Sequence, residues 1–280
     1  MNKFFFLITL TFSGAASCFS QTAKQCCNSP SSTSAFASFA NSAGFIGAHE
    51  SPKPISYAEK GKMVSFPSPD GKNASAYMIK SENKSNNYLI VFHEYWGLND
   101  YIKRQSDLYF DTLDVNVIAV DLYDGKITDD PDEAGRLVQS VDAARAVNII
   151  KSALAYAGKD AKIATVGWCF GGGWSLQGAL LAGEQATACV MFYGMPETDV
   201  NKLKTLNSDV LFVWAKKDQW INEEVKDDFI ENMRTADKKL TVKEYDADHA
   251  FANPSNPHYN EAGALDAQKI ALNFLRSHLE

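Results

Sequence analysis

The chain has 280 residues, of which 45% are hydrophobic and 22% charged, and its formal net charge is −7 at pH 7. This composition is typical of a globular protein with one sizeable core. The negative charge and the lack of a basic run argue against a nucleic-acid partner. Beyond the N-terminus, no apolar run is long enough to span a bilayer, so we expect no membrane span.

The first 54 residues differ in composition from the rest of the chain. Lys3 precedes an apolar run at 4–12, and small residues follow at 13–20. This pattern predicts a signal peptide over 1–20 and export, to the periplasm if the source is bacterial. A lipid anchor on Cys18 is the less favoured alternative. Residues 21–54 are rich in Ser, Ala and Asn and predict a low-complexity tether or cap, in which His49 receives no role and the pairing of Cys26 and Cys27 stays open.

Residues 55–280 predict one domain in which strands and helices alternate. We expect strands at 74–80, 88–92, 116–123, 162–168, 188–193, 210–215 and 240–245. We expect helices at 101–113, 130–156, 222–235 and 264–279, with another directly after Cys169. This alternation predicts an α/β fold, the α/β-hydrolase fold, with a mainly parallel central sheet covered by helices on both faces. In such folds the reacting groups collect where the parallel strands end.

The most informative motif is G-W-C-F-G at 167–171, between an apolar strand and a helix. It matches the nucleophile elbow G-x-S-x-G with cysteine in the serine position. The glycines let strand and helix pack closely around a sharply turned residue. We therefore expect Cys169 to be a nucleophile, although a buried structural cysteine in a glycine-rich turn is the alternative.

A thiol acts as a nucleophile in its thiolate form and therefore needs a base nearby. His249 lies in a short loop after the predicted strand 240–245, and Asp218 lies just after the end of the predicted strand 210–215. Nucleophile, acid and base then follow in the chain order of α/β-hydrolases. We therefore predict a triad of Cys169, Asp218 and His249, with Asp246 and Asp248 as rivals for the acid.

Glu94 follows the apolar strand 88–92, which should end beside the elbow. A carboxylate there could exchange a proton with the thiol or hold it in a resting orientation. The backbone N–H groups of Tyr95 and Phe170 are the expected oxyanion hole, because the fold takes one donor after the nucleophile and one from this upstream loop. The alternative for Glu94 is a carboxylate that caps its own loop.

Five segments together resemble the dienelactone hydrolase (carboxymethylenebutenolidase) family: 93–99, 121–123, 167–172, 217–218 and 249–251. The resemblance spans about residues 62–279. It implies an α/β-hydrolase fold, the same triad, a Glu94 that keeps the thiol inactive until substrate binds, and no cofactor or metal. Asn253 stands where the best-known members have an arginine that receives the lactone carboxylate, so dienelactone itself is in doubt as the substrate. Trp96 and Arg136 are further candidates for substrate binding.

We therefore expect an exported, monomeric cysteine hydrolase that cleaves a lactone or a small carboxylic ester. Two alternatives stay open at this point. The same fold also hosts peptidases and acyltransferases, and a non-catalytic small-molecule binding protein could retain the pocket. A thiol–disulfide protein is disfavoured, because no C-x-x-C pair includes Cys169.

Overall fold

The computed structural model describes residue 1 and residues 31–40, 42–83 and 85–280. The predicted signal peptide, Cys18, Cys26 and Cys27 lie outside these described residues. Within the described residues, no helix has the length and apolar character needed to cross a bilayer.

Eight strands form a single mixed sheet. The strands are β1 (Lys62–Pro67), β2 (Asn73–Ile79), β3 (Asn87–Phe92), β4 (Asn116–Val120), β5 (Lys162–Trp168), β6 (Ala186–Phe192), β7 (Asp209–Ala215) and β8 (Leu240–Tyr245). Their order in the sheet is β1-β2-β4-β3-β5-β6-β7-β8. Strand β2 runs antiparallel to both of its neighbours, and the other pairs are parallel.

Helices cover both faces of this sheet. They are α1 (Ser31–Phe39), α2 (Ala43–Gly47), α3 (Asp100–Leu113), α4 (Pro131–Ser140), α5 (Ala143–Ala157), α6 (Phe170–Ala182), α7 (Val200–Leu203), α8 (Glu223–Thr235) and α9 (Glu261–Leu279). Helices α3 and α9 pack together over one face, and α5 and α6 pack together over the other. The central strands are buried on both sides, which explains their continuous apolar sequences. The predicted mainly parallel α/β-hydrolase fold is confirmed.

Two local predictions were wrong. The single helix expected at 130–156 is broken into α4 and α5, because Asp142 leaves the helical conformation and caps α5 through its side chain. The Asp142 carboxylate accepts hydrogen bonds from the backbone N–H groups of Ala144 and Arg145, as a helix N-cap does. Strand β1 was not predicted, because most of its residues are exposed at the edge of the sheet and its apolar pattern is weak.

The described residues of the segment 31–50, which we call the N-terminal cap, pack into the core. Phe36, Ala40 and Phe45 are fully or almost fully buried. The Phe36 ring lies 5.6 Å from the Phe45 ring and 6.1 Å from that of Phe170, at the start of α6. Helix α1 contacts α4 and α6, and α2 contacts α4. The cap is therefore part of the hydrophobic core at the carboxyl end of the sheet.

Candidate active site

Cys169 lies between β5 and α6 in a strained backbone conformation. Its φ of 54° and ψ of −120° fall in a region that favours glycine. The flanking glycines are required by close approach: a Cβ on Gly167 would lie 2.0 Å from the carbonyl oxygen of Gly171, and one on Gly171 would lie 2.3 Å from that of His93. Strain of this kind, held by the surrounding structure, is typical of functional sites.

Three side chains from three loops form a continuous chain of contacts. The Sγ of Cys169 lies 3.2 Å from Nε2 of His249, and the Nδ1 of His249 lies 2.6 Å from Oδ2 of Asp218. The other carboxylate oxygen of Asp218 accepts hydrogen bonds of 2.9 Å from the backbone N–H groups of Trp220 and Ile221. The carboxylate is thus fixed by its own loop and orients the imidazole ring.

The surroundings of these groups shift their proton affinities. Burial raises the pKa of the Cys169 thiol, and the neighbouring His249 offsets part of this shift. Burial also opposes the charged form of His249, but the carboxylate of Asp218 and the sulfur of Cys169 outweigh it and raise the pKa of this imidazole well above its usual range. Cys169 and His249 are both buried, so this pair holds its shared proton away from bulk water.

Glu94 lies in the same region but does not bond the thiol. Its Oε2 accepts a hydrogen bond of 2.9 Å from Nδ2 of Asn253. Burial raises the pKa of Glu94 to about 7, with Asn253 and then His249 opposing the shift. The expected contact, in which Glu94 holds the thiol of Cys169, is absent among the described hydrogen bonds, because the amide of Asn253 holds the carboxylate and His249 holds the sulfur.

The loop after β3 surrounds the site with buried groups. The backbone N–H of Phe170 interacts with the Cys169 sulfur and lowers its pKa. The Tyr95 hydroxyl donates a hydrogen bond of 2.6 Å to the carbonyl oxygen of Pro131, which anchors the loop. Trp96 is almost fully buried beside Tyr95, with 5.0 Å between their rings.

The candidate Arg136 is not brought to this site. Its guanidinium lies on the exposed face of α4 and forms an ion pair of 2.8 Å with Glu133, the residue one turn earlier. Both side chains are largely exposed, so this pair is a solvated surface contact.

His49, for which no role was predicted, lies beside the candidate triad. Its side chain is buried, and its ring is 4.4 Å from that of Tyr95 and 5.9 Å from that of His249. The Nδ1 of His49 donates a hydrogen bond of 2.7 Å to the carbonyl oxygen of Phe45. Burial, with a smaller contribution from His249, lowers the pKa of His49 to about 3, so this imidazole is neutral at physiological pH.

A cavity of about 560 Å³ reaches the site from the side of α3 and α9. Glu94, Asn253 and Trp168 form part of its wall, while Cys169 and His249 are not among its described lining residues. The hydrogen-bonded pair of Glu94 and Asn253 therefore belongs to the wall of this cavity.

Residues 74–279 match the model of the dienelactone hydrolase family. The chain belongs to the dienelactone hydrolase family. It is 28% identical over 205 residues to protein usf of Aquifex pyrophilus, covering 68% of this chain and 88% of the relative. It is 24% identical over 226 residues to carboxymethylenebutenolidase 1 of Cupriavidus pinatubonensis, and the match covers 76% of this chain and 95% of the relative.

A solved structure of the same family shares the fold. The crystal structure of the dienelactone hydrolase-like promiscuous phosphotriesterase P91, from metagenomic libraries, superposes with a TM-score of 0.68 at 21% identity and covers 78% of this chain and 99% of that one. The matched region of the dienelactone hydrolase family begins at β2, so the N-terminal cap and His49 lie outside it. The protein is a dienelactone hydrolase-like hydrolase, and a residue from outside the matched segment, His49, lies beside its candidate site.

Proposed function

We propose that this hydrolase uses Cys169 as its nucleophile and cleaves a lactone or a small carboxylic ester through an acyl-enzyme. The observation that supports this most directly is the chain of contacts from Sγ of Cys169 to Nε2 of His249 at 3.2 Å and from Nδ1 to Asp218 at 2.6 Å. This is the nucleophile, base and orienting acid that a thiol hydrolase requires.

In the proposed acylation step, the thiolate sulfur attacks the carbonyl carbon while His249 holds the proton that left the thiol. The tetrahedral intermediate then collapses, the C–O bond to the alcohol breaks, and His249 gives that proton to the leaving oxygen. The product is a thioester on Cys169. In deacylation, His249 takes a proton from water, the hydroxide attacks the thioester, and the proton returns to the sulfur as the acid leaves.

The negative charge on the substrate oxygen needs donors in place before the reaction. The backbone N–H of Phe170, at the start of α6, and that of Tyr95, in the loop after β3, are our proposed oxyanion hole. Each such donor contributes about 3 kcal/mol of transition-state stabilisation in comparable hydrolases. The positive end of α6 adds to the same field.

We propose that Glu94 responds to the substrate. Its carboxyl group is buried with a pKa of about 7 and bonds Asn253 at the end of the cavity. A substrate that displaces this hydrogen bond leaves the carboxylate in a dry pocket, where it raises the pKa of Cys169 unless it takes up a proton. Glu94 would then couple substrate entry to the protonation of the site.

The cavity is lined by three acidic and two basic side chains, so a negative group of a substrate has only the basic pair to bind. Lys60 and Arg104 both line it, but Lys60 forms an ion pair of 2.6 Å with Asp111. Arg104 is exposed and forms no ion pair with a described residue. We propose Arg104 as the group that attracts a substrate carboxylate, since the position of the family's arginine is taken by Asn253.

The experiment combines a substrate panel with active-site variants. Aryl acetates and lactones, with and without a carboxylate, are assayed with the wild-type protein, Cys169→Ala and Arg104→Gln. We expect turnover in the wild type, none with Cys169→Ala, and a raised KM with Arg104→Gln that is confined to the carboxylate substrates. Mass spectrometry after brief exposure to a slow ester should find the acyl group on Cys169.

Other outcomes would replace the proposal. An acyl group on a different residue, or full activity in Cys169→Ala, would remove the thiol from the mechanism. Turnover of amides or transfer to amines, without ester hydrolysis, would favour a peptidase or an acyltransferase. Tight binding of the lactones with no turnover would favour a small-molecule binding protein.

We also propose that the protein is exported and that cleavage after Ser20 leaves Gln21 as the first residue. The support is the charged, apolar and small-residue order of residues 1–20. Mass determination of the protein from fractionated bacterial cells tests this directly. A chain that keeps Met1 and stays with the cytoplasmic fraction, or that carries lipid on Cys18, would contradict it.

A further inference from the structure

The Nε2 atom of His49 is buried and has no hydrogen-bond partner among the residues that the structure describes. Because Nδ1 of the same ring donates to the carbonyl oxygen of Phe45, Nε2 carries a lone pair and no proton. A buried acceptor without a partner is costly, and in a native protein it calls for an explanation. The proposed hydrolysis gives this lone pair no task.

Two other side chains that bind metal ions lie close to the His49 ring. A ring nitrogen of His49, the Sγ of Cys169 and a ring nitrogen of His249 all lie within 4.8 Å of one another, and all three residues are buried. We propose that these residues form a site for a single thiophilic divalent cation of the zinc type. The ion would sit between the N-terminal cap and the nucleophile elbow.

The three ligand atoms, and the oxygen atoms that hold the two histidine rings, suit a zinc-type ion. Zinc takes sulfur at about 2.3 Å and imidazole nitrogen at about 2.0 Å, and three protein ligands leave a fourth position for water. Ligand atoms around tetrahedral zinc are roughly 3.5 Å apart, so atoms that lie up to 4.8 Å apart need to approach each other by at most about 1.3 Å. Oxygen acceptors behind the metal ligands hold both rings: the carbonyl of Phe45 for His49 and the carboxylate of Asp218 for His249, as at zinc sites in general.

Binding has a consequence for the reaction. The ion takes the place of the proton that Cys169 and His249 share, so the sulfur becomes a metal ligand and stops being a nucleophile. Zinc would then inhibit reversibly, and a chelator would restore activity. This inhibition rests on the proposed function, whereas the binding itself does not.

The test uses Co²⁺ as a spectroscopic probe and Zn²⁺ in competition with a coloured chelator. Every sample carries serine in place of Cys18, Cys26 and Cys27, so that thiols outside the described residues do not bind the ions. The variants are Cys169→Ser, His49→Gln and, as the matched control, His258→Gln, whose ring lies in an exposed loop. Circular dichroism establishes that each variant is folded.

We expect the Co²⁺ protein to show a thiolate-to-metal charge-transfer band that Cys169→Ser abolishes. Loss of one of three ligands should weaken Zn²⁺ binding by at least about tenfold in His49→Gln, which is the scale of losses seen even for groups that only support a ligand. His258→Gln should bind as the parent does. Equal affinity in both histidine variants, or a Co²⁺ complex without the thiolate band, would overturn the site. Zinc binding in a protein without esterase activity would uphold the site and reject the proposed function instead.

Discussion

Replacement of Asp218 by asparagine tests the proposed triad with little change of shape. The two carboxylate oxygens of Asp218 have different partners. One accepts hydrogen bonds from the backbone N–H groups of Trp220 and Ile221, and the other accepts a hydrogen bond from Nδ1 of His249. An asparagine has only one oxygen. Two backbone donors hold that oxygen on their side, so the amide NH2 group turns toward His249.

The imidazole must then accept at Nδ1 and carry its proton on Nε2. This is the wrong tautomer, because Nε2–H faces the sulfur of Cys169 and cannot take its proton. The same replacement costs about 10⁴-fold in kcat in a serine protease, which corresponds to about 5 kcal/mol of activation free energy. We expect a loss of that order here. The pH profile of iodoacetamide alkylation should also shift to higher pH. Asp218 stabilises the charged imidazole of His249, and without it the thiolate of Cys169 loses part of the positive charge beside it.

The assay compares kcat/KM for an aryl ester in the wild-type protein, Asp218→Asn and the matched control Asp248→Asn. Asp248 lies one residue before His249, and its side chain is about half exposed. We expect the control to stay within a few-fold of the wild type and all three proteins to have similar melting temperatures. A fully active Asp218→Asn beside an inactive Asp248→Asn would refute the assignment of the acid.

Three further predictions follow from burial and close packing. Glu94→Gln removes a charge that raises the pKa of Cys169, so the alkylation profile should shift to lower pH, and turnover should fall because the proposed response of Glu94 to the substrate is lost; an unchanged profile would leave Glu94 a structural residue. The depressed pKa of His49, about 3, means that unfolded chains take up its proton below about pH 6.5 while folded chains do not, so stability falls as the pH falls. From pH 8 to pH 5 His49 contributes about 2 kcal/mol of this loss, so the loss in urea unfolding should be about 2 kcal/mol larger in the wild type than in His49→Gln, which keeps the contribution of the buried His93. Gly171→Ala places a Cβ 2.3 Å from a backbone oxygen, whereas Gly47→Ala meets no atom within 4 Å. Calorimetry should show a loss of about 3 kcal/mol or more for the first and almost none for the second, and equal melting temperatures would contradict the packing argument.

Much of the fold could be predicted because the central strands are buried on both faces. Strands such as β3 and β5 are continuous apolar runs, and the glycines around Cys169 mark the elbow between strand and helix. The edge strand β1 carries no such pattern because solvent covers most of it. The break between α4 and α5 was missed because the residues around Asp142 are also compatible with a continuous helix. In the structure Asp142 instead caps the start of α5.

The site could be predicted only where its residues follow strands. Cys169, Asp218 and His249 each lie after a strand, and the shared edge of a parallel sheet brings them together. His49 belongs to a segment with few large apolar residues, so composition alone predicted a tether or cap. The available clue was Phe45, whose carbonyl lies one helical turn before His49 and whose ring packs 4.3 Å from the imidazole.

The left-handed backbone at Cys169 makes the protein less stable than its sequence could allow. A non-glycine residue in such a conformation costs about 1–3 kcal/mol. In most positions alanine stabilises a protein relative to glycine, because it restricts the unfolded chain. At position 169 the order should reverse, with Cys169→Gly melting above Cys169→Ala. The fold would therefore gain from losing the side chain that we propose as the nucleophile, an exchange of stability for the proposed activity.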